Sequence, residues 1–433
     1  MNIVHITPGA GGMYCGNCLR DNALVRALRQ QAHTVTMIPL YLPMTLDEED
    51  QSAGTPIFFG GVNVYLQQKS KLFGQMPRAL HQWLSSPQVL RWASGRAAKT
   101  RADEVGELTL SMMRGEEGQQ VAELEQLIRW LQEQKKPDIV CLSNTLLIGL
   151  VRGLKAELGS KVVCMLQGED SFLDSLPPTV RDNAWALLGE RAKEVDLFIG
   201  PSNYYGQLMA KRLSLPMQKV RVAYNGINVE GFAPASKAPD PPVVGYFARM
   251  CREKGLDTLV DAYLILRKRN KIPGLRLKVG GSCGPADEPF VTDLEEKLEA
   301  EGVIQEVEFR PNLSRQAKQD FLRSLSVFSV PALYGEAFGL YLLEAWAAGV
   351  PVVQPRHAAF PELIQATGGG LVCEPRSAEA LANVLESLLL DGAKAQKMGT
   401  AGRNAVLRDL TMERMAERVL HLYDELMATT AAR

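Results

Sequence analysis

Two doubly wound α/β domains facing each other across a cleft are the fold this sequence predicts, and three observations carry it. Short β-branched runs alternate with longer helical patterns almost throughout the chain. A proline-rich segment, GINVEGFAPASKAPDPP, breaks that rhythm near the middle, and the same alternation then starts again. At 433 residues the chain is long for one domain and comfortable for two.

In the first half, strands are expected over 3–7, 34–38, 138–142, 161–166, 197–200 and 220–223. Helices between them include 19–31, with Leu24, Val25 and Leu28 on one face, and 146–158. The strand candidates carry no polar alternation, which suits strands buried on both faces of a parallel sheet. Pro234, Pro239, Pro241 and Pro242 cannot sit in a central strand, so the segment containing them reads as a linker. Strands resume over 243–247, 276–279, 307–310, 327–330, 352–354 and 370–373. In such sheets ligands bind beyond the carboxyl ends of the strands.

Two features break the symmetry. Residues 41–135 form an insertion, with a hairpin expected around FFGGVNVYL and helices after it. At the far end, 412–427 predicts a helix with Met415, Val419, Leu422 and Leu426 on one stripe. The expected division is a first domain over 1–225, a second over 226–410 and a terminal helix over 411–433.

Composition excludes several classes. At 46% hydrophobic and 22% charged residues the chain is an ordinary globular protein. Its net charge of -1 supplies no global field to draw it to nucleic acid. No apolar stretch is long enough to span a bilayer, and the first residues lack the pattern of a secretion signal. The expected location is therefore cytoplasmic, at most peripheral to a membrane. Seven scattered cysteines argue for reduced thiols, and only Cys15 and Cys18 lie close together. No second Cys or His pair completes a zinc site, and His5, His33, His81, His357 and His421 are isolated from one another, so no metal is expected.

The stretch TPGAGGMYCGNCLRD follows the first strand candidate and admits three readings. A dinucleotide fingerprint needs a third glycine where Tyr14 stands, and a carboxylate closing the second strand, where the chain reads MIPLYLP. That reading fails. A redox dithiol at Cys15 and Cys18 would resemble thioredoxin-like motifs but explains nothing of the second half. The third reading is a backbone loop whose glycines approach an anion, with the following helix aiming its positive end there.

The second half supplies groups for such a ligand. In FARMCREKG, Arg249 and Lys254 sit beyond a strand's carboxyl end, and two fixed cations suit a diphosphate. With Arg252 and Glu253 between them, a solvated charged loop fits the spacing equally well. In VPALYGEAFGLYLLEAWAAGVPVV, Glu336 and Glu344 are separated by seven residues. Glu344 falls inside an apolar helix, where a buried carboxylate needs partners, the simplest being ligand hydroxyls. The amides of Phe338, Gly339 and Leu340 point out of the helix start towards an anion.

At this point the chain resembles the retaining family-4 glycosyltransferases of the GT-B fold, over nearly its whole length and most strongly over 220–388. Glu336-x7-Glu344 with EAFGLYLLEAWAAGVPVV is similar to the family signature. YNGIN resembles the domain-linking Asn-Gly-x-Asp, with Asn228 in place of Asp. FARMCREKG, LKVGGS and HAAFPELIQATGGGLV resemble three further family elements. The resemblance implies two Rossmann-like domains and a terminal helix crossing back to the first. It implies transfer of a sugar, a hexose by expectation, from a nucleotide-diphosphate sugar to an unidentified acceptor.

Carried over residue by residue, the resemblance implies that Arg249 and Lys254 hold the donor diphosphate and stabilise it as it leaves. Glu336 would bind hydroxyls of the transferred sugar, and Glu344 the ribose. Gly11 and Gly12 would place amides near the phosphates or the acceptor. Many members carry a His where this chain has Gln167, in VVCMLQGED. A Gln can hydrogen-bond a sugar hydroxyl but cannot relay a proton, which leaves Glu169 or Asp170 as substitutes. His357 falls near the implied donor sugar. No cofactor or metal is implied, because Arg249, Lys254 and the helix start supply the positive potential, and the chain has no Asp-x-Asp.

The rival readings are a nucleotide-sugar epimerase or phosphorylase on the same architecture, and a non-catalytic nucleotide-sugar-binding protein. No lysine is marked for the pyridoxal phosphate a phosphorylase needs, and the four intact charged residues argue against loss of activity. One further feature concerns the insertion. Residues 51–102 contain no Asp or Glu but carry Lys69, Lys71, Arg78, Arg91, Arg96, Lys99 and Arg101, interleaved with apolar side chains such as Trp83 and Trp92. Amphipathic helices usually face a core, which favours packing onto the domain. The competing expectation is peripheral association with an anionic membrane, or an anionic acceptor.

Overall fold

A computed structural model describes residues 1–9, 16–44, 46, 48–59 and 102–431. The chain divides into two compact units, Met1–Tyr224 with Met415–Arg433, and Asn225–Arg414.

The first unit is built on a six-stranded parallel sheet of β1 (Asn2–Thr7), β2 (Thr34–Pro39), β3 (Ile139–Leu142), β4 (Lys161–Met165), β5 (Leu197–Gly200) and β6 (Val220–Val222), in the order β2-β1-β3-β4-β5-β6. Every residue of β1, β3 and β5 is buried. Continuous burial on both faces is what a parallel sheet covered by helices requires. The order reverses direction between β1 and β3, which opens a crevice above their carboxyl ends.

The second unit repeats the principle with β7 (Val243–Phe247), β8 (Arg276–Gly281), β9 (Val307–Pro311), β10 (Val327–Phe328), β11 (Val352–Pro355) and β12 (Gly370–Cys373). Their order is β12-β11-β10-β7-β8-β9, so the reversal falls between β7 and β10. All pairings are parallel, with Val327 opposite Val244 and Phe328 opposite Gly245. The strand expected over 327–330 stops at Phe328, and the chain then bends through Val330 and Pro331 towards the site.

Three local differences from the sequence reading have simple causes. The helix expected over 146–158 opens as a 3-10 turn, Thr145–Leu150, because Asn144 Oδ1 accepts from the Leu146 amide at 3.0 Å; the α-helix proper is Val151–Leu158. The proline-rich segment is not a free linker. Ile227 bridges Thr411, the Gln319 amide donates to Glu230 O at 2.8 Å, and Phe232 is buried, so donors of the second unit hold a backbone that cannot join a sheet. The expected hairpin around FFGGVNVYL lies outside the described residues apart from Phe58 and Phe59.

The terminal helix runs Met412–Ala431 and belongs to the first unit from Met415 onward. Met415, Val419, Leu422 and Tyr423 are buried, Leu426 is half-buried, and Glu425 pairs with Arg221 of β6 at 2.9 Å. No described helix is long and apolar enough to cross a membrane.

Candidate functional site

The loops leaving β7 and β10 meet at the reversal point of the second sheet. The Leu333 amide donates to Glu253 O at 2.9 Å. Gly255 has φ +72°, and a Cβ there would stand 2.0 Å from Pro331 O, so only glycine allows the two loops to close on each other. This contact brings together Lys254 and Glu336, which are 82 residues apart. Their Nζ and Oε2 are 2.6 Å apart, with side chains 19% and 14% exposed.

Around that pair the structure adds two side chains the sequence reading did not single out. The hydroxyls of Tyr334 and Tyr341 donate to the same Glu336 Oε2 at 3.3 and 2.9 Å. Lys254 Nζ also lies 4.8 and 5.5 Å from the centres of the two rings, close enough for cation–π attraction. Burial disfavours the Lys254 charge, but Glu336 and Tyr334 outweigh it and raise the ammonium above its ordinary range. Burial likewise raises the Tyr334 and Tyr341 phenols, so both stay hydroxyl donors. All three bonds to Glu336 end on Oε2; among the described residues Oε1 accepts none. The site therefore presents a charged ammonium with donors to spare beside an open carboxylate oxygen.

Arg249, Glu344 and His357 are each placed with a protein partner. Arg249 is held by Asp287, its Nε at 2.9 Å from Oδ2 and its Nη2 at 2.8 Å from Oδ1, which raises the guanidinium pKa. Asp287 is 9% exposed and Arg249 57%, so the carboxylate anchors a guanidinium whose outer face remains in solvent. Glu344 lies inside a helix, Leu340–Ala347, where Lys318 donates to its Oε1 at 2.8 Å, so a protein cation partners one carboxylate oxygen while, among the described residues, Oε2 accepts no bond. Lys318 escaped notice because it stands on another helix, Arg315–Arg323, with no motif around it. Gly339, φ +91°, forms the cap of Leu340–Ala347, and amides of a first helical turn, here from Leu340, lack partners within the helix. Phe338 is buried beneath them. His357 stacks on Phe360 with ring centres 5.9 Å apart, and burial lowers its pKa.

In the first unit Gly11, Gly12 and Cys15 lie outside the described residues, while Cys18 is buried in the helix Gly16–Gln30. Gln167, beyond the end of β4, donates through Nε2 to the Ser143 carbonyl and, at 3.1 Å, to Ser143 Oγ. Glu169 is not available as a substitute base. It is buried and accepts from the amides of Thr145 (2.9 Å) and Gln167 (2.7 Å) and from the Tyr205 hydroxyl (3.0 Å). Asp170 accepts from the same hydroxyl at 2.8 Å. Burial raises both carboxyls above their usual range.

Beneath Gln167 sits a buried polar cluster that sequence reasoning missed. Asp21 accepts from Arg20 Nε at 3.0 Å, from Thr7 Oγ1 at 2.9 Å and from Ser143 Oγ, and it lies 3.3 Å from His5 Nε2. Burial opposes its charge, but Arg20 and His5 hold the carboxyl well below its usual range. The signal available in sequence was a charged pair, Arg20-Asp21, in the first turns of a helix otherwise apolar on that side. Among the described residues no group of three His, Cys, Asp or Glu is placed to hold a metal ion.

Comparison with known proteins agrees with this architecture. The family model "Glycosyltransferase Family 4" matches residues 93–230, and "Glycosyl transferases group 1" matches residues 230–405. A GDP-mannose-dependent alpha-(1-6)-phosphatidylinositol monomannoside mannosyltransferase of Mycobacterium tuberculosis is 31% identical over 198 residues, 44% of this chain and 49% of that protein. A putative colanic acid biosynthesis glycosyltransferase, WcaL of Salmonella typhimurium, is 29% identical over 47% of this chain and 50% of its own. The chain thus spans about half the length of the curated relatives it matches. Among solved structures, sucrose-phosphate synthase from Thermosynechococcus elongatus superposes with a TM-score of 0.72 at 19% identity, covering 99% of both chains. Anabaena HepE in complex with UDP gives 0.67 at 14% identity, over 98% of this chain and 100% of that one. The fold is shared across these distances although little sequence is.

Proposed function

We propose that this chain, which belongs to the family-4 glycosyltransferases of the GT-B fold, transfers a hexose from a nucleotide-diphosphate sugar to a hydroxyl acceptor. The observation that carries the proposal is the Lys254–Glu336 pair at the reversal point of the second sheet, with Glu336 Oε1 open. Lys254 neutralises charge as it develops on the departing diphosphate, and the exposed face of Arg249 adds a second donor set. Glu336 Oε1 accepts from a hydroxyl of the transferred sugar. With two cations and a helix start at hand, the leaving group is stabilised by this chain's own residues. Retention of the anomeric configuration is part of this proposal, supported by the resemblance of the Glu336-x7-Glu344 stretch to the retaining enzymes.

The names of the curated relatives make GDP-mannose the first donor to try, and UDP-glucose the second, since one neighbour of the same fold is described in complex with it. The purified protein is incubated with GDP-, UDP- and ADP-hexoses, a panel of sugar and polyol acceptors, and EDTA or none. Release of nucleoside diphosphate unaffected by EDTA, with NMR showing the donor's anomeric configuration in the product, is the expected result. Hexose 1-phosphate formed only with orthophosphate would instead mark a phosphorylase, and donor binding without turnover a sensor. The anionic-surface role of residues 51–102 falls mainly outside the described residues. Salt-sensitive sedimentation with anionic but not neutral vesicles is its test.

A further inference from the structure

The polar cluster of the first unit has a direction, and that direction ends on one atom. Gln167 Nε2 lies against the Ser143 carbonyl, an acceptor only, so the amide nitrogen must face inward. Its second inward bond reaches Ser143 Oγ at 3.1 Å. Ser143 Oγ in turn stands against Asp21 Oδ2. An ionised carboxylate only accepts, so the serine proton points to Asp21 and the serine lone pairs face Gln167. Arg20 and His5 keep Asp21 ionised inside the fold. In this arrangement each bond from Gln167 through Ser143 to Asp21 has one donor and one acceptor.

The backbone of Gln167 is anchored separately, its amide donating to buried Glu169 at 2.7 Å. With main chain and side chain both held, the amide cannot flip. The remaining polar atom of the side chain, Oε1, accepts no bond among the described residues, and Gln167 is only half-buried. It stands beyond the carboxyl end of β4, beside the crevice at the β1/β3 reversal where α/β sheets take ligands.

We propose that Asp21 and Ser143 are positioning residues that lock Gln167 with its carbonyl oxygen outward, as a fixed acceptor for a hydroxyl of a sugar substrate. The lock makes this position selective: it takes a hydroxyl donor and rejects a phosphate or carboxylate, whose oxygens would face Oε1 without a proton between them. The proposal rests on the transferase reading for the identity of the substrate, but not for the hydrogen-bond direction. That hydroxyl belongs either to the transferred hexose or to the acceptor.

The test compares wild type with Ser143→Ala, which keeps the backbone carbonyl and removes only the hydroxyl, and with Gln167→Met, which keeps the length and removes the oxygen. NMR of the Gln167 side-chain amide should show two protected, distinct protons in wild type and faster exchange in Ser143→Ala. Calorimetry measures affinity for GDP-mannose and GDP, and for UDP-glucose and UDP. About a fivefold loss for the nucleotide sugar with none for the bare nucleotide, the worth of one neutral hydrogen bond, supports the proposal and assigns the hydroxyl to the donor. Unchanged donor affinities with a similar rise in acceptor KM support it and assign the hydroxyl to the acceptor. Unchanged amide exchange, unchanged binding and unchanged KM overturn it, as does a uniform loss of all affinities in step with a lower melting temperature. If wild type itself binds no nucleotide sugar, the transferase reading fails, and the amide NMR alone still decides the lock.

Discussion

Both units place charged side chains at the carboxyl ends of their central strands, and they use them in opposite ways. Asp21 in the first unit is fully buried, and its two oxygens are taken by Arg20, Thr7 and Ser143 with His5 alongside. Nothing of it is left for a ligand; it joins β1, the helix Gly16–Gln30 and the loop after β3. Glu336 in the second unit is 14% exposed and crowds three donors onto one oxygen, leaving the other open. A carboxylate satisfied at both oxygens holds elements together, whereas one satisfied at a single oxygen is ready for a ligand. The comparison predicts that removing the Asp21 charge acts on stability, whereas substitutions around Glu336 act on turnover.

The largest effect is expected from Asp21→Asn. Removing the charge leaves Arg20 buried without its counter-ion, and breaking such a pair costs about 3–5 kcal/mol. Urea unfolding should show that loss. A stability close to wild type would end the contrast between the two regions.

Lys254→Ala follows. It strips the charged donor from the Glu336 site, and truncating one partner of a buried charge pair costs about 2–5 kcal/mol. Expressed in kcat/KM for nucleoside diphosphate release, that is a loss of roughly thirty- to several-thousandfold. Near-normal turnover would remove the donor-site assignment.

The pH dependence of stability sharpens the first region. Asp21 has a folded pKa below its ordinary 3.8, so its contribution is complete above that value and is lost as pH falls below it. His5 shifts the other way. Burial opposes its charge, but Cys141 and Asp21 raise its pKa to about 10. Its contribution is complete below the ordinary 6.5 and is lost as pH rises from there towards 10. The melting temperature should therefore be highest between pH 4 and 6.5 and fall on both sides. A maximum at pH 8 or above would contradict the charged state of His5.

Arg249→Ala tests the gradation within the second region. Because the guanidinium is more than half exposed, little stability should be lost, while KM for the donor rises about tenfold, as for one charge-assisted contact. The smallest effect is expected from replacing Cys15 and Cys18 together by Ser, which should leave turnover within about twofold. Turnover lost on mild oxidation, restored by thiols and absent in the double variant, would show a redox switch instead.

Much of the second region was legible in the chain. Glu336, Glu344 and the glycine before the helix fall within one short stretch, and Lys254 stands beside Gly255, so local pattern carries them. Asp287, Lys318, Tyr334 and Tyr341 were not, because a partner role depends on which loops a sheet brings together. Asp287 approaches Arg249 from the loop after β8, and Lys318 reaches Glu344 from a neighbouring helix. Neither carries any periodicity or spacing of its own.

The sequence by itself determined the two α/β units, the places of their twelve strands to within a few residues, and the neighbourhood of the second unit's site. These rest on short-range regularities: apolar runs long enough for buried strands, and glycines and prolines that end them. Only the tertiary structure decided which charges are neutralised and which atoms stay open. His5 and Thr7 of β1, Asp21 of the following helix, Ser143 after β3 and Gln167 after β4 form one cluster because β1, β3 and β4 lie side by side with their carboxyl ends at one level. Strand order is set by long-range packing, and a hydrogen bond depends on tenths of an ångström. Those distances exist only once the sheets have closed.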